Sequence, residues 1–265
     1  MADLYFANAM KIITVATLKG GNAKTTTSLA IAAGLAEKGH AVALLDADPQ
    51  STATMVLGLK PVAEPWAAEP VELFIKGLSA GSITLIRGGR PLRLATAAQR
   101  AAFFDCSDLR IGFAVVDTAP GEVELVDAAL RCSDLVVVPV EPSPLSLTGL
   151  CDVAGLASRH EPSPVVRSVL TRAHRIRVST RELAVRVERL VPGSLCRTMI
   201  PEDVRVVDSP DAGLPVTLSH PRCRASQAYR ELVDELYPLL AGFDRAATHP
   251  EPTAPAPAMA SAYGR

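Results

Sequence analysis

The sequence has few cysteines, almost no net charge and no long apolar run. Lys and Arg number 27 against 28 Asp and Glu, so any binding to nucleic acid must depend on a local basic patch. The five cysteines are scattered without a C-x-x-C pair, which predicts reduced thiols in a cytosolic protein. The five histidines are equally dispersed, which speaks against a metal site built from them. No apolar run approaches the roughly 20 residues that span a bilayer.

The 265 residues suffice for one or two domains, and apolar runs alternate along them with helical patterns. The predicted strands are Ile12–Thr17, Ala41–Asp46, Ile111–Asp117, Leu135–Val140, Pro164–Thr171 and Leu195–Ile200. The predicted helices are Thr25–Lys38, Glu122–Cys132, Leu145–Arg159, Ser179–Leu190 and Arg222–Ala241. This alternation predicts an α/β fold, a doubly wound, mostly parallel sheet with helices on both faces. Ligands of such sheets bind at the carboxyl ends of the strands.

The remaining segments are less regular. Residues 61–107 contain one predicted edge strand, Ser82–Arg87. Residues 1–10 are expected to form an N-terminal extension without the pattern of a secretory signal, and residues 11–245 a single domain. Residues 246–265 are rich in Pro and Ala and poor in large apolar side chains. They are predicted to be a disordered tail, because too little burial is available to offset the entropy of ordering.

The most informative stretch, Thr17–Thr26, joins the first predicted strand to the first predicted helix and reads TLKGGNAKTT. A strand, a glycine-bearing turn and a helix N-terminus present unpaired backbone N–H groups, which bind anions. The Lys24 side chain can reach the outer phosphates of a nucleotide, and the Thr25 hydroxyl can ligate Mg²⁺. The stretch therefore predicts a site for a nucleoside triphosphate.

Acidic residues end two of the predicted strands at the edge where the phosphate loop lies. Asp46 ends the second strand, Asp48 follows it, and Asp117 ends the apolar run Phe113–Val116. Asp46 is expected beside the γ-phosphate, where a carboxylate orders or deprotonates the attacking water. Asp117 is expected to hold Mg²⁺ through a water. Each acid alone could equally be a strand end or a helix cap, but their order after the phosphate loop favours a nucleotide site.

These motifs resemble those of the ParA/MinD ATPases. The loop lacks the glycines of an ordinary P-loop and has Lys19 before a Gly-Gly pair instead, similar to the deviant Walker A box x-K-G-G-x-x-K-[ST]. The run Asp46–Gln50, DADPQ, resembles the Walker A′ box, and Val115–Pro120, VVDTAP, resembles the Walker B box. Ile200–Arg205 resembles the loop that closes over adenine. The likeness spans roughly residues 11–241.

The resemblance implies roles for individual residues. Lys19 would cross the interface of an ATP-sandwich dimer, Lys24 would bind phosphate, and Asp46 would be the hydrolytic aspartate. Thr25 and Asp117 would hold Mg²⁺. The implied nucleotide-binding residues are Gly20, Gly21, Asn22, Ala23, Lys24, Thr25, Thr26, Pro201 and Glu202.

Two positions depart from the family pattern. Ala23 replaces a glycine that is common before the catalytic lysine, and its methyl group is expected to affect nucleotide affinity or dimer approach. Thr171 replaces the Asn of the usual Asn-Arg pair, which is expected to weaken adenine selectivity. Neither change removes a charged catalytic group.

Basic residues concentrate between positions 171 and 189, with six arginines against two glutamates. A solvated helix face would show the same pattern. The resemblance favours DNA, because ParA-like proteins bind DNA without sequence preference once ATP has paired two monomers. The candidate DNA contacts are Arg172, Arg175, Arg177, Arg205, Arg222 and Arg224.

The resemblance therefore implies a cytoplasmic, nucleoid-associated ATPase that forms a homodimer on ATP and binds DNA non-specifically. Slow hydrolysis, stimulated by a ParB-like or cargo-adaptor protein, would drive plasmid or chromosome partition. Alternatives of the same fold are an ATPase that positions a protein cargo, a MinD-like membrane-associated regulator, a metabolic enzyme, and a regulator without hydrolysis. The last periodic stretch, Glu231–Phe243, begins acidic and has Pro238 near its middle, so it is not expected to be a membrane-binding helix.

Overall fold

A computed structural model describes residues 10–63, 69–73, 78, 81–106, 109, 111–174 and 176–241. The strands in these ranges are β1 (Lys11–Val15), β2 (Ala41–Ala47), β3 (Val71–Leu73), β4 (Ser82–Arg87), β5 (Phe113–Thr118), β6 (Leu135–Val140), β7 (Val165–Ala173) and β8 (Leu195–Pro201). The helices are α1 (Lys24–Glu37), α2 (Thr52–Val56), α3 (Ala97–Phe104), α4 (Val123–Cys132), α5 (Pro144–Ala157), α6 (Val178–Leu190), α7 (Arg205–Asp208), α8 (Val216–Ser219) and α9 (Arg224–Ala241). Single 3₁₀ turns cover Arg90–Leu94 and Ser209–Ala212. The predicted tail, and the predicted extension apart from Met10, lie outside the described residues.

The strands form one sheet in the order β3-β4-β2-β5-β1-β6-β7-β8. All neighbouring strands are parallel except β3 and β4, which are antiparallel. This confirms the predicted doubly wound α/β fold. The prediction that Ser82–Arg87 is an edge strand is wrong, because β3 covers its outer side. With only three residues, β3 is too short to show a periodicity in the sequence.

Helices cover the sheet on both faces, which explains why its central strands are apolar throughout. Ile13 of β1 belongs to a buried cluster with residues of α1 and α9. The neighbouring Ile12 points to the opposite face, into a cluster with Phe103 of α3 and Leu125 of α4. A third cluster packs α5 and α6 on that same face, against β6 and β7. Each fully buried large side chain of this kind contributes about 1.5–3 kcal/mol to folding.

The last helix, α9, is fixed at two places. The Arg230 guanidinium makes two hydrogen bonds, of 2.9 and 2.8 Å, to the Glu37 carboxylate of α1. The Glu235 carboxylate accepts hydrogen bonds of 2.7 and 2.9 Å from the backbone N–H groups of Arg197 and Thr198 in β8. These bonds fasten α9 to the first helix and to the edge strand. Helix α9 continues through Pro238 to Ala241, as the sequence predicted.

No helix within the described ranges is both long and apolar enough to cross a bilayer.

Candidate nucleotide-binding site

The loop between β1 and α1 leaves the first turn of α1 open to an anion. Ala23, the residue before the helix, has a left-handed backbone with φ 57° and makes no side-chain cap. The first turn contains no acidic residue. Free N–H groups and the positive end of the helix dipole therefore face the loop. Strand β1 lies between β5 and β6, where the chain connections change direction across the sheet, which is where doubly wound sheets bind their ligands.

Lys24 begins α1 and points inward. Its side chain is buried, and Nζ donates a hydrogen bond of 3.1 Å to the carbonyl oxygen of Lys19. Burial lowers the pKa of Lys24, and the nearby charges of Asp117 and Asp48 partly oppose that shift. An ammonium group has three donors, so Nζ retains donors for phosphate oxygens placed at the helix N-terminus.

Helix α5 supports the phosphate loop from the side, and it does so through a glycine. A Cβ at Gly149 would lie 2.8 Å from Thr17 Oγ1 and 3.4 Å from Lys19 Cγ. The hydroxyl of Thr17 also accepts a hydrogen bond of 3.3 Å from the Lys19 N–H. Lys19, which is part of the loop, is half-buried and packs next to α5. It is not among the residues that line the cavity beside the loop.

Asp117 is the residue before the last of β5 and lies beneath the first turn of α1. The Ser28 hydroxyl donates 2.9 Å to its Oδ1, and the Thr25 hydroxyl is a further partner of this carboxylate. Its Oδ2 is buried without a hydrogen-bond partner among the described residues. Burial, and then the charge of Asp46, raise the pKa of Asp117 to about 7.

The Asp117 carboxylate and the Thr25 hydroxyl are suitable ligands for a magnesium ion. A cation beside Asp117 Oδ2 would supply the missing partner, and Mg²⁺ prefers carboxylate and hydroxyl oxygens such as these. The described residues contain no group of three His, Cys, Asp or Glu side chains that could hold a metal. Phosphate oxygens and water would therefore complete the coordination.

Asp46 is enclosed by protein. It is completely buried, and its Oδ2 accepts hydrogen bonds from the Thr54 N–H at 2.7 Å and the Thr54 hydroxyl at 2.6 Å. Burial raises the pKa of Asp46 to about 6. Asp46 is not among the residues that line the cavity, because β2 continues through Ala47 and keeps Asp46 inside the sheet. Its catalytic role stays a prediction.

Asp48 is the carboxylate of this segment that lines the cavity. Its Oδ1 accepts a hydrogen bond of 2.8 Å from the Gln50 N–H, and its Oδ2 accepts one of 2.6 Å from the Thr52 hydroxyl. Helix α2 begins at Thr52, and Ser51 before it has a left-handed backbone with φ 55° and no capping bond. Asp48 is thus held in place in front of the phosphate loop.

The cavity has a volume of about 490 Å³ and runs from the phosphate loop to the ends of β7 and β8. Of the predicted nucleotide-binding residues, Gly21 to Thr26, Pro201 and Glu202 line it, whereas Gly20 lies outside the lining. The sequence did not single out Tyr229, which comes from α9, far along the chain. The other lining residues are Asp48, Gln50, Thr52, Pro120, Thr171, Arg172, Ile200, Asp203, Val204, Val206 and Val207.

The candidate DNA contacts do not all lie on one outer surface. Arg172 lines the nucleotide cavity, and its guanidinium lies 3.4 Å from the Glu141 carboxylate. Arg177 and Arg224 are exposed and share a second cavity of about 530 Å³ with His174. The remaining described candidates, Arg205 and Arg222, are exposed as well. Arg175 lies outside the described residues.

Together with the doubly wound sheet, the open helix N-terminus and its buried lysine are the features of a P-loop-type nucleotide-binding protein. The family model of the CobQ/CobB/MinD/ParA nucleotide binding domain matches residues 13–216. The chain therefore belongs to this family of nucleotide-binding ATPases.

Relatives and structural neighbours agree with this assignment. The chain is 27% identical to the sporulation initiation inhibitor protein Soj of Bacillus subtilis, over 85% of this chain and 98% of Soj. It is 27% identical to the chromosome partitioning protein ParA of Caulobacter vibrioides, over 87% of this chain and 95% of that protein. The structure of the septum site-determining protein MinD from Pyrococcus horikoshii, complexed with Mg-ADP, superposes with a TM-score of 0.71 at 20% identity. That match covers 88% of this chain and 98% of MinD.

Replacing Lys24 by Ala is expected to weaken Mg²⁺-ATP binding by about 100-fold, because charge-assisted hydrogen bonds to phosphate are lost. Calorimetric titration measures the change. Lys38→Ala is the matched control, since Lys38 lies beyond the opposite end of α1 and pairs with Asp234. Equal affinities of the Lys24 variant and the wild type would contradict the assignment of the phosphate site.

Two glycines of α5 form a second matched pair. Gly149→Ala is expected to push Thr17 and Lys19 out of position and cost about 1–3 kcal/mol of stability, as overpacking does. Gly155→Ala should be neutral or stabilising, because its Cβ would meet no atom within 4 Å. Urea unfolding and ATP titration of both variants test this. If the two substitutions behave alike, α5 does not support the loop.

Proposed function

We propose that this chain is a ParA-type partition ATPase. It binds Mg²⁺-ATP, pairs with a second copy across the nucleotide, binds DNA without sequence preference as the dimer, and releases the DNA on hydrolysis. This cycle drives plasmid or chromosome partition in the cytoplasm, on the nucleoid, with a ParB-like or cargo-adaptor protein as stimulating partner. The observation that carries the proposal is the convergence of Lys24, Thr25 and the orphaned Asp117 Oδ2 at the open end of α1. The similarity to the chromosome partitioning protein ParA of Caulobacter vibrioides supports partition as the process served.

The binding step follows from the loop geometry. The N–H groups of the first turn of α1 and the Lys24 ammonium group bind the phosphates. Thr25 and Asp117 would hold Mg²⁺, and the ion would supply positive charge against the phosphate oxygens. Lys19, placed on the α5 side of the loop rather than in the cavity, is available to the nucleotide of a second copy. Its position suits the role that the deviant Walker A box assigns to it.

The hydrolytic step needs a carboxylate that can reach water at the terminal phosphate. Asp48 meets this requirement better than Asp46, because Asp48 lines the cavity and Asp46 is enclosed by Thr54 and its own strand. The bonds from Gln50 and Thr52 orient the Asp48 carboxylate. We assign to Asp48 the positioning of the attacking water, and to Asp46 the support of the segment that carries Asp48.

Paired substitutions separate the two carboxylates. Asp48→Asn is expected to bind Mg²⁺-ATP but to hydrolyse it at least about 100-fold more slowly, the low end of the contribution of a general base. Asp46→Asn should instead lower the free energy of unfolding. Thr54 donates to one oxygen of Asp46 and the Asp48 N–H to the other, and an amide has only one accepting oxygen. Phosphate release and urea unfolding are measured on both variants. The catalytic role that the sequence predicts for Asp46 is correct if Asp46→Asn alone abolishes hydrolysis while ATP still binds.

DNA binding is tested by sedimentation with random-sequence DNA, without nucleotide, with ADP and with ATP. The protein is expected to bind DNA only when ATP is present. Its affinity for DNA should fall steeply with salt concentration, because contacts to DNA phosphates release counterions. The double substitution Arg177→Gln and Arg224→Gln should lower the log–log salt slope by about 2 per protomer, one for each phosphate contact. Arg131→Gln is the control, since Arg131 lies in the last turn of α4 next to the amino end of β6, away from the carboxyl ends of β7 and β8. Lys19→Ala should bind ATP but neither dimerise nor sediment.

Failure to sediment in every nucleotide state would overturn the DNA-binding step. If the protein dimerises with ATP and hydrolyses it but never binds DNA, the ATP switch remains and the partition function is wrong. If Arg131→Gln changes the salt slope as much as the double substitution does, the DNA contacts lie elsewhere.

A further inference from the structure

A second cavity adjoins the nucleotide cavity at the carboxyl ends of β7 and β8. Its volume is about 530 Å³, slightly more than the roughly 490 Å³ of the nucleotide cavity. Pro201 lines both cavities, and His174 Nε2 of the second cavity lies 3.5 Å from Glu202 Oε2 of the first. None of the described residues of the phosphate loop lines the second cavity, so a ligand bound there does not need the nucleotide site.

Two arginines from different elements give this cavity a positive end. Arg177 directly precedes α6, and Arg224 is the first residue of α9. Neither guanidinium group forms an ion pair with a described acidic residue. A guanidinium presents its donors in a planar fork that matches the oxygens of a phosphate group. Two such groups at one cavity favour a ligand that carries a phosphate.

The first turn of α9 is already capped, so the arginine side chains themselves must bind the anion. Asp203 Oδ2 accepts a hydrogen bond of 3.4 Å from the Ala225 N–H. Cys223 Sγ accepts another, also of 3.4 Å, from the Ser226 N–H. These N–H groups are therefore not available to a ligand.

The remaining walls of the second cavity are mostly apolar. Gln227 and Glu231 follow Arg224 along α9, and Glu231 lies about 10 Å from Arg224 along the helix axis. The carboxylate is thus at a distance from the arginine end of this wall. The apolar lining residues are Ala173, Ile176, Met199, Pro201 and Ala228. This lining suits a molecule that has a phosphate at one end and an apolar body.

A DNA backbone would use only part of this cavity. A backbone phosphate needs the two arginines but makes no use of the apolar wall, which would stay hydrated. A small organic phosphate uses both, because its apolar body removes the wall from water. The volume and the apolar wall therefore favour a small molecule as the ligand for which the cavity is shaped.

We propose that the second cavity is a binding site for a small organic phosphate, whose phosphate group binds Arg177 and Arg224 and whose body packs against Met199. Such a ligand occupies the arginines that the proposed function assigns to DNA, so it regulates the protein by displacing DNA. The binding of the ligand is independent of the proposed function, and only the displacement of DNA rests on it.

Calorimetric titration of the protein saturated with Mg²⁺-ADP tests the site, because the nucleotide then blocks the phosphate loop. The probes are phenyl phosphate, inorganic phosphate, which lacks the ring, and phenol, which lacks the phosphate. Phenyl phosphate is expected to bind one site per chain, at least about tenfold more tightly than inorganic phosphate, because its ring buries apolar area. Phenol should show no saturable binding.

Three variants test the residues that the inference names. Arg177→Gln and Arg224→Gln should each weaken phenyl phosphate binding by at least about tenfold, the value of hydrogen bonds to a charged group. Met199→Ser should reduce the preference for phenyl phosphate over inorganic phosphate by about threefold or more, because part of the apolar wall is lost. The affinity of this variant for inorganic phosphate should be unchanged, which also shows that it is folded.

Arg189→Gln is the matched control, since Arg189 lies in the last turn of α6, at the opposite end of that helix from Arg177. The inference is overturned if phenyl phosphate does not bind, or binds no more tightly than inorganic phosphate. It is also overturned if Arg189→Gln weakens binding as much as Arg177→Gln, because the probe would then respond only to the total positive charge. If Met199→Ser leaves the preference unchanged, the ring does not pack in this cavity and the inference is wrong.

Sedimentation with random-sequence DNA separates this inference from the proposed function. In the presence of ATP, phenyl phosphate is expected to displace DNA at concentrations that saturate the calorimetric site. Inorganic phosphate at the same concentration is the control for ionic strength and should displace less DNA. If the probe fills the cavity and DNA stays bound, the regulatory role is refuted.

The two remaining outcomes each refute one proposal. Binding of phenyl phosphate by a protein that never binds DNA refutes the DNA-binding step and leaves the second site intact. Binding of DNA with ATP by a protein that does not bind phenyl phosphate refutes this inference alone.

Discussion

The connection between Asp117 and α1 is the interaction on which the site depends. Ser28 and Thr25, on the first turns of α1, bond to a carboxylate at the end of the central strand β5. This links the helix that binds phosphate directly to the middle of the sheet. Because the carboxylate is fully buried, water cannot compensate for a change in its position. Asp117 Oδ2 has no hydrogen-bond partner among the described residues, so its burial costs free energy. The same missing partner leaves this oxygen available to a cation.

The sequence predicts the strands that are buried on both faces of the sheet. The longer parallel strands at the centre of the sheet are buried on both faces, and their unbroken apolar runs can be recognised in the sequence alone. Helices α2, α7 and α8 have only four or five residues, too few for a hydrophobic period to appear. Helix α3 could have been found, since Thr96 and Gln99 form a capping box at its start. The position of β4 inside the sheet depends on long-range pairing, which local patterns do not encode.

Some residues of the site could be predicted from the sequence, and others depend on the fold. The phosphate loop is contiguous in sequence, so its residues could be identified from their spacing alone. The distinction between Asp46 and Asp48 could not, because it depends on where β2 stops and on Thr54, eight residues downstream, which encloses Asp46. Tyr229 is brought to the cavity only by the packing of α9 against α1. Residues that a fold assembles from distant segments leave no local signal.

The bonds from Glu235 to β8 have a consequence for assembly. An edge strand with free N–H groups is a template to which another chain can add a strand. Here Arg197 and Thr198 already donate theirs to a carboxylate of α9, and at the far side of the sheet β3 has three residues within the described part of the chain. Copies of this protein are thereby discouraged from joining sheet to sheet into open-ended fibres. Under the proposed function, association is confined to the rim that carries the phosphate loop, and binding of the nucleotide controls it.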